Sequence, residues 1–120
     1  MDSPERLADG IVSASKTLSM IVALSVEKGF FGKLKPTDLQ IGWAYGFCDG
    51  FAQWIGLKSD EEFILFISLT FEKVFGKTGL KYFQKVAWNQ NAYAVAIQAG
   101  GSAHHKWSVD GTVPLMPLRR

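Results

Sequence analysis

The residues able to do chemistry are few. Cys48 is the sole cysteine, His104 and His105 are the only imidazoles and stand side by side, and Asp49 is the one carboxylate inside the glycine-rich run 41-IGWAYGFCDGFAQW-54. Adjacent residues diverge by about 100° on a helix and point to opposite faces of a strand, so His104-His105 makes a poor chelate. Asp110 is the nearest carboxylate and no third ligand follows at a familiar spacing. No metal is expected, and the pair reads as solvated or as capping the end of a helix. A thiolate nucleophile needs a basic neighbour, a helix N-terminus or a partly exposed site. Cys48 has aromatic neighbours instead and reads as a buried, inert thiol. A Cys-His dyad would require the C-terminal segment to fold back onto it. Paired carboxylates, a Ser-His-Asp pattern and a phosphate-binding glycine loop are also missing, which leaves no catalytic residue to name and no cofactor to expect.

Asp49 belongs to a different constellation. Gly42, Gly46 and Gly50 recur every four residues in a segment whose patterning is otherwise helical, although glycine costs a helix about 1 kcal/mol against alanine. On a helix the three glycines form a smooth stripe with Asp49 at its edge and Gln53 within it. Such a stripe fits the close approach of another helix, a ligand groove floored by backbone, or the seam of a homodimer. As a ligand groove it would comprise Gly42, Gly46, Asp49, Gly50 and Gln53, with Tyr45 and Gln90 alongside. Gln90 falls among Phe83, Val86 and Tyr93, where its amide would need a partner such as Tyr45 or Asp49.

Four helices with short connections would position these residues. Ser3-Pro4 is an N-cap followed by proline at the first helical position, and Leu7, Ile11, Ala14, Leu18, Ile21 and Ser25 then make one apolar face up to a stop at Gly29. Thr37 with Gln40 and Ser59 with Glu62 are capping boxes that open the second and third helices, which stop near Gly56 and at Gly76. A fourth pattern carries Tyr82, Phe83, Val86, Ala87, Tyr93, Ala94 and Ile97 and ends at Gly100-Gly101. Beyond it, Asp110-Gly111 between Trp107, Val109 and Val113 signals a short hairpin, and Pro114 and Pro117 then prevent regular structure. The expected fold is all-α, a compact four-helix arrangement over residues 1–101, with an irregular C-terminal extension over 102–120 leaning on the helices through Trp107 and Leu115.

Composition bounds the function. A chain of 120 residues suits one core, and nine Phe, four Trp and three Tyr make that core aromatic. Thirteen basic and eleven acidic residues are scattered, which gives no footprint for nucleic acid. A lone cysteine favours a reducing compartment, and acids stand at the N-terminus where a secretory leader carries Lys or Arg, so a cytoplasmic location is expected. The longest weakly charged stretch, Leu39 to Leu57, holds Asp49, Gln53 and four glycines and reaches spanning length only marginally, which argues against a membrane helix.

Apolar residues exceed what one core needs. In the third helix Phe63, Ile64, Ile67, Phe71, Val74 and Phe75 make a core stripe, while Leu65, Phe66 and Leu69 make a second. In the fourth, Trp88 and Val95 lie on the side that holds Lys81, Gln84 and Asn91. The second stripe is either covered by the C-terminal extension or the first helix, or exposed as an interface, and on that last reading Leu65, Phe66, Leu69, Trp88 and Val95 are the candidate interface. The expectation is a small non-catalytic protein-binding domain of adaptor, inhibitor or neutralising type, with a protein partner and self-association as a homodimer. The alternative is a small-molecule-binding or enzymatic helical domain with its pocket over Gly42, Gly46 and Gly50.

Overall fold

Both capping boxes form as their spacing requires. Thr37 Oγ1 accepts from the Gln40 amide at 3.1 Å while Gln40 Oε1 accepts from the Thr37 amide at 2.9 Å. Ser59 Oγ accepts from the Glu62 amide at 3.1 Å, and Glu62 reaches back to the Ser59 amide at 3.5 Å. From these caps run α2 (Asp38–Trp54) and α3 (Asp60–Phe75). They follow α1 (Ser3–Ser25), and a single 3₁₀ turn at Gly76–Thr78 leads into α4 (Gly79–Ala87) and α5 (Ala94–Asp110). The computed structural model describes residues 3–29 and 32–117. The all-α class is the one the sequence implies, and among the described residues the only β pairing is an isolated antiparallel bridge between Lys28 and Leu34.

Three boundaries differ from the sequence expectation. α1 stops at Ser25, four residues before Gly29, because the chain there pairs with itself: the Lys35 amide donates to Glu27 O at 2.7 Å and the Gly29 amide to Lys33 O at 2.6 Å. The fourth helix is split by turns over 88–93. Asn89 Nδ2 takes the Lys85 carbonyl at 2.8 Å, the kind of local side-chain bond that competes with a helical ladder. The third difference is the largest. α5 runs straight through Gly100-Gly101 to Asp110, so the boundary drawn at residue 101 falls inside a helix and the expected hairpin does not form. Gly111, with φ 74°, is the helix stop, and Asp110 Oδ1 accepts from the Thr112 amide at 2.8 Å.

α2 lies at the centre and packs against each of the other four α-helices. Phe47 and Phe51 from α2, Phe66 and Phe71 from α3, and Leu18, Ile21 and Val22 from α1 fill an aromatic core. α1 is, among the described residues, the one helix long and apolar enough to cross a membrane by length and composition, yet it lays Ile11, Ala14, Leu18, Ile21 and Val22 into this core. The face of α3 is rotated from the expected one. Phe66 and Thr70 are fully buried while Ile64 is exposed, because α1 crosses over α3 so closely that a Cβ on Gly10 would come within 3.1 Å of Phe66. Phe66 therefore leaves the candidate interface for the core, and Leu69 is half-buried against it.

Of the two anchors expected for the C-terminal segment, Trp107 packs against the core and Leu115 does not. Leu115 is exposed and Met116 is buried, while Trp107 is half-buried on α5. The fully buried Gln40 holds the segment in place: its Nε2 donates to Ser25 O at 3.0 Å and to Pro117 O at 2.8 Å. One side chain thus joins the start of α2, the end of α1 and the tail.

Candidate functional site: the end of the glycine stripe

The glycines of α2 meet small residues of α5. A Cβ on Gly42 would sit 2.8 Å from the Ala96 Cβ, one on Gly46 would fall on the Ile97 carbonyl, and one on Gly100 would lie 2.8 Å from the Phe47 amide nitrogen. On α5 the facing residues Ala96, Gly100 and His104 repeat the four-residue spacing of Gly42, Gly46 and Gly50, and all three are buried. With no Cβ in the way, two helix backbones approach closely. The first two glycines of the stripe are therefore a helix-packing surface, and Gly42 lines no groove with the other proposed ligand residues.

At Gly50 the neighbour changes from backbone to side chain. A Cβ there would be 3.2 Å from the Cβ, Cγ and Nδ1 of His104. His104 is 3% exposed, its ring enclosed by Phe47, Phe51, Trp107 and Trp54 at centroid distances of 5.2, 5.3, 5.4 and 5.7 Å. Its Nε2 is buried with no hydrogen-bond partner. Burial first, and His105 second, push its pKa down to about 4, so the imidazole is neutral at neutral pH. The expectation of a solvated pair holds for His105, which is exposed, and fails for His104, because continuation of α5 past Gly101 turns that ring onto α2.

Beside this point lies an open groove of about 680 Å³ between α2 and α5. From α2 it is lined by Gly46, Asp49, Gly50, Gln53 and Trp54, and from α5 by Gln98, Ser102, His104 and His105 among others. Asp49 is half-buried; burial lifts its carboxyl above the ordinary range, and a 3.3 Å bond from Gln53 Nε2 offsets part of that. Tyr45 and Gln90 face a different cleft of about 440 Å³, where Asp49 meets Asp60, Phe63, Ile64 and Ile67. Burial, then Asp49, then Cys48 raise the Tyr45 phenol. Gln90 is not on a core face: it sits in the 88–93 turn, exposed, with Nε2 on Ala87 O at 3.5 Å. Its helix was broken before it could be turned inward. Cys48 is fully buried, and burial followed by Asp49 drives its thiol far above the ordinary value.

Comparison with family models, curated proteins and solved structures returns no match.

The chemistry must therefore be argued from the groove itself. Among the described residues no three His, Cys, Asp or Glu stand together as a metal site. Asp49 and His104 share the groove wall, but no hydrogen bond joins them. A lone carboxylate without a proton relay suits holding a ligand better than moving protons. The sequence does not place Trp54, Gln98, Ser102 or His104 beside the glycine stripe, as the structure does. The signal that would have found them is the Ala96, Gly100, His104 spacing, hidden because Gly100-Gly101 reads as a helix end.

The candidate interface residues are dispersed. Trp88 is 76% exposed and Val95 80% exposed, Leu65 is exposed on α3, Leu69 is half-buried and Phe66 is in the core. Val95 shares a shallow depression with Leu39, Asn89 and Ala92, and Trp88 shares the adjoining one with the same Asn89 and Ala92.

Proposed function

We propose that the protein is a small binding domain of the adaptor, inhibitor or neutralising type, and that the surface around the 88–93 turn is where it docks, first of all onto a second copy of itself. The observation that carries this reading is the exposure of Trp88 and Val95, with Leu39 beside them on one continuous surface. A tryptophan standing in water is the residue type that most often anchors an interface, since its large flat area is buried at small conformational cost. A two-fold axis through such a patch hides both copies with one self-complementary surface. The fully buried, lone thiol suits work in a reducing compartment such as the cytoplasm.

The test is sedimentation velocity on the wild type and on Val95→Lys. Val95 points to solvent from the first turn of α5, so the lysine leaves the fold intact while placing a charge in the proposed seam. A wild-type dimer that becomes monomeric with unchanged circular dichroism is the expected result. A wild type that stays monomeric at tens of micromolar removes self-association, and a dimer untouched by the lysine places its seam elsewhere.

A further inference from the structure

We propose that the groove between α2 and α5 binds a small organic cation of the arylalkyl-ammonium class, with Asp49 as counter-ion and Trp54 as the apolar wall. This site is separate from the docking surface around Trp88.

Charge selects the class. Among the described residues Asp49 is the only carboxylate lining the groove, and no lysine or arginine lines it. Its hydrogen-bond partner is the neutral Gln53 amide at 3.3 Å, and among the described residues no cation lies within ion-pair distance of it. A half-buried carboxylate has lost part of its hydration without gaining a positive partner, so an ammonium ion would restore what burial removed. An anion would meet that carboxylate with nothing to balance it.

The aromatic wall fits the same ligand. Trp54 is about half exposed, and its ring is held edge-on by Phe51 at 5.5 Å and by Trp107 at 5.5 Å. A tryptophan face fixed before binding attracts both an aryl ring and a neighbouring cation. His104 closes the inner wall as a neutral group, its Nε2 without a partner. Gln98 and Ser102 supply neutral acceptors along the α5 side. A volume of about 680 Å³ accommodates a molecule of this size.

The experiment titrates the intact chain with phenethylammonium, followed by calorimetry and by amide and indole nuclear magnetic resonance shifts. Phenylacetate, with the same ring and the opposite charge, is the control. Saturable one-to-one binding in roughly the millimolar range or tighter, with shifts at Asp49, Gln53, Ser102 and the Trp54 indole, is the expected result. Asp49→Asn should weaken it by about tenfold or more. Gln53→Lys, at an exposed position four residues along the same helix, places an internal ammonium beside Asp49 and should weaken it as well, so the claim does not hang on one variant folding. Absence of saturation overturns the proposal. So does equal binding of phenylacetate, unchanged affinity in the folded variants, or shifts confined to Trp88 and Val95.

Discussion

The backbone of Gly46 lies directly against that of Ile97. A Cβ on this glycine would fall on the Ile97 carbonyl oxygen and sit 2.6 Å from the carbonyl carbon, so backbone, not a side chain, occupies the space. Gly46→Ala must push α5 away from α2 and should cost roughly 1–3 kcal/mol or more. Gly101→Ala is the matched control, because the nearest atom to its Cβ would be Gly46 O at 3.7 Å, an ordinary contact. There the gain in helix propensity, up to about 1 kcal/mol, should dominate. Urea denaturation of the two variants checks this; destabilisation of similar size at both positions would mean that backbone contact is not what distinguishes them.

That contact also explains what the sequence concealed. Thr37-Gln40 and Ser59-Glu62 are local signals, satisfied within one turn, and both caps formed where they were read. Gly100-Gly101 carries the local signature of a helix end, but its use is tertiary: α5 passes α2 so closely that Gly100 is required in mid-helix. The opposite error fell at Trp88, where a helical pattern hid the turns that split α4 from α5. Whether Phe66 is core or interface is not written locally, because the covering element, α1, lies more than forty residues away along the chain. Asp49 and Gln53 were legible because they share α2 with the glycines; His104 and Trp54 joined them only once α5 was in register.

Gln40 supplies a second prediction. Its side chain makes three hydrogen bonds, to Thr37 N, Ser25 O and Pro117 O, with no exposure to solvent. Gln40→Leu keeps the volume and leaves these backbone groups without their partner, which should cost about 1–3 kcal/mol. The tail should respond most, since Pro117 O loses this bond. Limited proteolysis should cut the variant's tail faster than the wild type's while the helices stay intact. Equal cleavage rates would show that Met116 alone holds the segment.

His104 links stability to pH. Its ordinary value of 6.5 in the unfolded chain falls to about 4 in the fold, chiefly through burial. Below pH 6.5 the unfolded chain binds a proton that the folded one refuses, so folding loses stability as the pH falls from 6.5 toward about 4. Asp49 works the other way: its raised carboxyl takes up a proton in the fold before it does in the unfolded chain, which opposes the loss at the acid end. Urea midpoints of the wild type should therefore drop from about pH 7 to about pH 5, a fall that Asp49 opposes and cannot produce. His104→Gln is neutral throughout and should flatten that slope. A slope of the same size in the variant would mean that His104 is not the group that titrates, and that the ring enclosed by Phe47, Phe51, Trp54 and Trp107 reaches water more readily than its 3% exposure implies.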